Sequence, residues 1–405
     1  MTIWRPKNLY EALVPAYIVR AILGFAMIRY PMDKPRVKLT IIHSIVVFTT
    51  YGYFFVTIFL SHWNSIEMQN RPKVTYILVV MYNICMIFMI ISAWINQKMD
   101  QETLLMSSEL EHRLDALGIK CNYQQIVILQ LSVIFVWCVM TLALNLSSSI
   151  WAIGHFPTFC YFLECSCLAH AININSLMEL SYFMAIRHIT RRYQDINEFL
   201  ENMELSSADG QLGTEYRLRG HQTGSYRVHV GSFLTRKKIM RSLHNLKHVH
   251  LELRKLTQRV TRSHATQLIF LMLSSFFLIT WMLYVMYNTI MITEVATSVK
   301  WIRGCTGGVV VVSIGLKLVS VNCICATAEY EYERTRAILQ KLVMNVRDRE
   351  LQREVEIFSL QIMTVQLSFQ PHGLFKIGNS YMVKFIGTVT TNLIILIQNN
   401  VPIDE

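Results

Sequence analysis

Hydrophobic residues along the chain gather into seven long runs set apart by polar segments: 38–61, 74–97, 124–146, 158–186, 265–292, 301–325 and 377–400. Each is about 20 residues or longer, enough for a helix rising 1.5 Å per residue to cross a hydrocarbon core of about 30 Å. The pattern predicts an all-α polytopic membrane protein with seven transmembrane helices. A further apolar stretch, Ala12 to Ile28, carries Arg20 at its centre. No charged segment followed by a small-residue cleavage site precedes it, so it reads as an interfacial or packed helix rather than a span or cleaved signal peptide.

Two polar segments show a helical period of their own. Ile239, Leu243, Leu246, Val249, Leu253, Leu256 and Val260 recur every three or four positions and run without a proline into the fifth span. Leu351, Val355, Phe358, Ile362 and Val365 repeat the pattern after the sixth span, until Pro371 and Gly373 end it. Helices with one apolar face must bury it, which predicts a bundle of helical extensions beneath the membrane, within one subunit or between several. Between them, residues 205–231 hold five of the sixteen glycines and little apolar periodicity, the composition of a mobile loop.

Charge orients this arrangement. Segments 1–38, 98–123, 187–262 and 326–376 carry 7, 3, 15 and 7 Lys or Arg, whereas the opposite loops contribute only Arg71, Lys73 and Lys300. Because basic residues stay on the cytoplasmic side during insertion, the N-terminus is expected inside and the C-terminus outside, the reverse of a G-protein-coupled receptor. The net charge of +11 follows from this asymmetry and needs no nucleic-acid partner. Arg303, Lys317 and Lys384 fall within spans; Lys317 is placed to snorkel or to pair with a neighbouring helix.

The remaining chemistry-bearing residues argue against an enzyme. No GxSxG, HExxH, phosphate-binding loop or dinucleotide fingerprint stands in its required context. The nine cysteines lack paired CxxC spacing, and Cys165, Cys167, Cys323 and Cys325 lie inside spans, where Cys is a small apolar filler. Cys160 and Cys305 share the outer side, where a disulfide is open to them. His244, His248, His250 and His264 decorate one helix; the i, i+4 pair His244 and His248 has no carboxylate or Cys on its face and Lys and Arg around it, which reads as a solvated or interface face rather than a metal site. No cofactor is expected.

The segment FSLQIMTVQLSFQPHGLFKIGNSYMVKFIGTVTTNLIILIQNN, from Phe358 on, resembles the C-terminal signature of the insect gustatory receptor family. There, a helix leads to a Gly-Leu-Phe turn and a final span ending in Thr-Tyr, five hydrophobics and Gln-Phe. Gly373, Leu374 and Phe375 match the turn, Thr391 the threonine, Leu393 to Ile397 the hydrophobics and Gln398 the glutamine; Asn392 and Asn399 replace the two aromatics. The resemblance implies a ligand-gated cation channel in the plasma membrane of a sensory neuron, built as a homo- or heterotetramer with related subunits. It further implies that the last helix of each subunit lines a shared pore. Leu393, Ile394, Ile397, Gln398 and Asn399 would form the pore and gate, an aliphatic constriction beside an amide ring. Asp404 and Glu405 would form an acidic collar at its mouth. With Asn399 for the aromatic, such a channel closes one turn lower, works beside other subunits, or has lost conduction.

On this reading the chain divides into a cytoplasmic N-terminal segment (1–37), helices 1–4 (38–186), a cytoplasmic loop and amphipathic helix (187–264), helices 5–6 (265–325), anchor helices (326–376) and a last helix with extracellular C-terminus (377–405). A small-molecule tastant from outside would enter the outer halves of the spans. Trp137, Thr141 and Asn145, Tyr161, Glu164 and His170, with Tyr82, Asn83 and Tyr287, fall there. Trp281, Tyr284 and Asn288 share one helical face suited to stacking on a ring and bonding its substituents. Glu164 either serves this pocket or pairs with Arg303, since an ionisable group inside a span is costly.

Overall fold

The computed structural model describes residues 6–24, 37–63, 73–153, 157–202, 215–216, 234–291, 296–345 and 348–399. In chain order these form α1 (Leu9–Ala12), α2 (Val14–Ile22), α3 (Val37–Trp63), α4 (Lys73–Ile95), α5 (Gln97–Ala116), α6 (Tyr123–Ile153), α7 (Phe159–Leu168) and α8 (His170–Glu201). After a two-residue ladder, β1 (Glu215–Tyr216) against β2 (Leu234–Thr235), come α9 (Arg236–Ser263), α10 (Ala265–Met291), α11 (Thr297–Asn345), α12 (Arg349–Thr364) and α13 (Asn379–Gln398). A 3-10 turn, Pro371–Gly373, precedes α13.

Among the described residues, five helices are long and apolar enough to cross a membrane: Lys38–Ile58, Tyr123–Trp151, Ala265–Met291, Thr297–Met344 and Asn379–Gln398. The second predicted span corresponds to α4, with a shorter apolar stretch at Val80–Ser92. The fourth, expected as one helix over 158–186, is two. Thr158 caps α7 through its hydroxyl, and at Ala169 the backbone tightens, its carbonyl accepting from both Ile172 and Asn173. The bend sets the His170 ring against Tyr51 of α3, centroids 4.5 Å apart.

Exposure separates two layers. Along α3, α4 and α6 the large apolar side chains stay outward, among them Ile42, Phe54, Phe88, Phe135 and Leu142. That is the surface a helix offers to lipid, where apolar exposure costs nothing. The largest fully buried side chains instead include Tyr182, Tyr193, Tyr332, Phe358 and Phe369, gathered where α8 and α11 run past the apolar windows to meet α5, α9 and α12. Every residue of the stripe from Ile239 to Val260 is buried there, as are Leu351, Val355, Phe358 and Ile362. Between α9 and α10 the helical ladder continues through His264, bonded to Val260 on one side and Leu268 on the other, so amphipathic extension and fifth span follow on directly.

Polar joints fix the extensions. Asn197, fully buried on α8, donates to both the carbonyl (2.9 Å) and the carboxylate (3.0 Å) of Glu331 on α11 and accepts from Thr335 (2.7 Å). Glu111 on α5 meets Arg192 (2.9 Å) and His188 (3.1 Å) of α8. Burial works against that carboxylate's charge, but the His188 contact and the Arg192 guanidinium prevail and hold its pKa below the ordinary range.

His250 is fully buried, packed among Tyr193 (5.2 Å), Tyr332 (4.8 Å) and Phe358 (5.4 Å). Its position on the helix falls one residue after Val249, within the same buried stripe, so an uncharged imidazole serves there as an aromatic filler. Burial pushes its pKa down to about 3. His244 and His248 do stay exposed, with Glu354 of α12 reaching His244 (3.2 Å) and Lys247 (2.5 Å).

Candidate ligand pocket and last helix

The residues expected to meet a ligand gather in two groups in the spans. In the first, the Tyr51 hydroxyl donates to Asn83 Oδ1 (2.9 Å), with the Cys167 carbonyl at 3.4 Å, and the Tyr51 ring faces His170. Nearby in sequence, Asn173 donates to Asn145 Oδ1 (3.3 Å), joining α8 to α6. In the second, Trp281 and Tyr284 sit 5.6 Å apart at a 41° tilt on α10, with Tyr287 and Asn288 half-buried one turn on. Trp137, Thr141, Tyr161 and Glu164 are half-buried on α6 and α7, and Arg303 is half-buried on α11. Tyr82 is buried and donates to the Ser274 carbonyl, a bond between α4 and α10. Tyr51 and Asn173 are the additions that sequence reasoning missed, because a lone Tyr in the first span has no periodic signal to mark it.

Lys317 lies close to Glu179 of α8, the neighbouring-helix alternative raised from the sequence. Cys305 is a free thiol, and the Cys160 side chain lies outside the described residues.

The Gly-Leu-Phe turn before the last helix has a physical account. Gly373 adopts φ +74°, a backbone that L side chains rarely take, and His372 before it reaches φ 46°. The Ile377 N–H bonds to the Phe369 carbonyl (2.9 Å), closing the loop, and both side chains are fully buried. Phe375 stacks on Tyr381 at 5.1 Å, while Lys376 pairs with Glu329 of α11 (3.0 Å) and leaves Leu374 exposed. Gly378, at φ +142°, starts α13, and its N–H bonds to Oδ1 of the buried Asn322 (3.0 Å).

Helix α13 buries only Phe385 and Val389, on the side facing α10 and α11. A second face carries Lys384, Thr388, Thr391, Ile395 and Gln398 at spacings of four and three, all exposed. Its hydroxyls turn inward: Thr388 bonds to the Lys384 carbonyl and Thr391 to the Gly387 carbonyl, and Asn392 likewise donates to Thr388. Leu393 and Ile397 are half-buried, Ile394 is exposed, and Asn399 caps the helix. The acidic pair Asp404 and Glu405 lies outside the described residues.

These features define a polytopic helical membrane protein with its packed core in helical extensions and a lightly covered last span. The chain belongs to the 7tm chemosensory receptor family, whose profile matches residues 15–399. It is a receptor family, not one of enzymes. Among solved structures it is similar to the insect olfactory receptor OR5 from Machilis hrabei, with a TM-score of 0.66 at 13% identity over 97% of this chain and 99% of that one. The same receptor in complex with eugenol matches with a TM-score of 0.64 at 11% identity, over 96% and 98% of the two chains. No curated protein matches by sequence.

Proposed function

We propose that the chain is a gustatory receptor: a ligand-gated, non-selective cation channel opened by a small organic tastant such as a bitter compound, sugar or contact pheromone. It works in the plasma membrane of a sensory neuron, with its N-terminus cytoplasmic and four subunits around one pore. The observation that carries this is the exposed stripe Lys384, Thr388, Thr391, Ile395 and Gln398, on a different face from the buried Phe385 and Val389. A span that faced lipid all around that side would not collect a lysine, two threonines and a glutamine on it. Four copies facing one another would give them water, with Ile395 between Thr391 and Gln398 as a dewetted ring. Leu393, Ile394 and Ile397 flank this ring toward the neighbouring subunits.

The pocket reading draws support from the aromatic pair Trp281 and Tyr284 and from the polar group at Tyr51 and His170. The similar olfactory receptor holds eugenol, a small substituted aromatic. A second reading, a subunit that conducts only beside related receptors, is favoured by Asn399 standing where the gustatory signature has an aromatic.

Currents from cells expressing the chain, alone and with related subunits, test the proposal. Gln398→Ala is expected to change relative cation permeability or basal leak without loss of surface protein. Unchanged permeation and gating in a conducting channel would remove the last helix from the pore.

A further inference from the structure

A cavity of about 620 Å³ lies at the other end of the spans from the candidate pocket residues, lined by α1, α2, the start of α3, the end of α4, α5, the start of α6, the middle of α8 and the end of α9. Its charges do not cancel. Arg191 and Arg192 are held by Asp195 (3.2 and 2.7 Å), Arg192 also by Glu111, and Asp100 is bonded to Ser263. That leaves Arg20 of α2 and Arg187 of α8, which line the cavity and have no acidic partner among the described residues. Gln130 of α6 lines it too; only 3% exposed, it has no donor for its Oε1 among the described residues. A buried amide oxygen without a donor is costly, as is the half-buried Arg20 guanidinium, whose Nε has no partner among the described residues; Arg187 is exposed and adds a second positive charge at the mouth. Both point to an occupant.

The two demands define its chemistry. It offers an anionic oxygen cluster to two guanidiniums, for which phosphate is the fitting geometry, and a hydroxyl to Gln130. It is also amphiphilic, because Leu13, Leu129 and Trp94 line the same cavity, and the last two are each 37% exposed toward the apolar surface of the spans. Helix α2 fixes the depth: Ile18 and Ile22 are exposed on either side of Arg20, the pattern of a helix lying at a membrane surface. We propose that this cavity holds the headgroup of an anionic phospholipid of the inner leaflet. Arg20 and Arg187 grip its phosphate, Gln130 accepts from a headgroup hydroxyl, and the lipid ties the N-terminal helix to the third and fourth spans. The choice of leaflet rests on the cytoplasmic N-terminus proposed above; the binding itself needs no channel activity.

The full-length receptor, purified into nanodiscs, is the material for the test, and retained lipid is read by native mass spectrometry and by transfer from a fluorescent phosphatidylinositol. Wild type is expected to enrich phosphatidylinositol over phosphatidylcholine at least tenfold. Arg20→Gln with Arg187→Gln, and separately Gln130→Leu, should abolish or sharply reduce that enrichment, whereas Arg241→Gln at an exposed position of α9 should not. Size-exclusion profiles report folding, and if the double variant fails to fold, Gln130→Leu carries the decision alone. Free inositol phosphate should not displace the lipid; equal competition would make the occupant a soluble phosphate and overturn the lipid assignment. Equal retention of all lipids, or enrichment indifferent to both variants, would overturn the site.

Discussion

Asn322 holds the start of the last helix, and removing its amide should loosen that joint by a calculable amount. The side chain is fully buried on α11; its Nδ2 donates to Leu318 O (2.8 Å) in its own helix, and its Oδ1 accepts from the Gly378 N–H (3.0 Å). Gly378 is itself buried. In Asn322→Ala the lost bond contributes about 1 kcal/mol, and the N–H left without an acceptor costs about 1–3 kcal/mol, so about 2–4 kcal/mol follows. Asn322→Leu fills the space but supplies no acceptor, and should match the alanine variant to within about 1 kcal/mol. Fluorescence-detected size exclusion after heating should show both melting several degrees below wild type. Where channel activity is measured, a joint weaker by about 2 kcal/mol shifts a two-state gate by up to about thirtyfold, read as basal current. A leucine variant as stable as wild type would refute the reasoning, because the joint would then be packing and not an amide.

Asn197→Ala should be costlier still, about 3–5 kcal/mol, because it strips a buried carboxylate of a hydrogen bond along with the Glu331 carbonyl and Thr335; thermal melting reads it, and a loss under about 1 kcal/mol would count against the network. His250 is neutral in the fold with a pKa near 3, so the unfolded chain takes up a proton that the folded chain refuses as pH falls below about 6.5. Stability should fall by about 1.4 kcal/mol per pH unit from that point toward pH 3, and His250→Phe should remove this component when melting is followed against pH. Tyr284→Ala should move the dose-response for an activating ligand about ten- to hundredfold at unchanged surface expression, and an unmoved curve takes Tyr284 out of the pocket. An epitope after Glu405 should stain intact cells while one before Met1 should not; the reverse pattern refutes the orientation.

What the sequence disclosed and what it withheld divide along physical lines. Hydrophobic period is a local property, so the spans and the buried stripe from Ile239 to Val260 were readable residue by residue. The break at Pro371 and Gly373 was readable too, since both residues end a helical period, and Gly373 takes the positive φ that glycine tolerates. The polar joints were not. Asn197 and Glu331 are 134 positions apart, Tyr51 and Cys167 are 116 apart, and nothing in either segment alone specifies the other. The burial of His250 follows from its place in the 3.6-residue period, one residue after Val249, but its aromatic partners on α8, α11 and α12 do not. The cavity beside Arg20 escaped because it is assembled from helices far apart in the sequence, from α1 to α9, and no single segment shows it.

The helical core has a consequence for biosynthesis. Its layers come from Leu110 and Leu114 of α5, Tyr193 of α8, Val249 of α9, Tyr332 of α11 and Phe358 of α12, so the core is complete only when nearly nine-tenths of the chain has been made. At about 5–20 residues per second, Tyr193 waits roughly 8 to 33 seconds for Phe358. The early spans enter the bilayer during that interval, while the polar-backed halves of α5, α8 and α9 remain outside it with their apolar stripes uncovered. The bilayer thus receives its helices one at a time, but the anchor assembles all at once and late. A chain that stops before α12 is inserted yet coreless, and the apolar stripes left uncovered on its extensions are the signal by which quality control would recognise it.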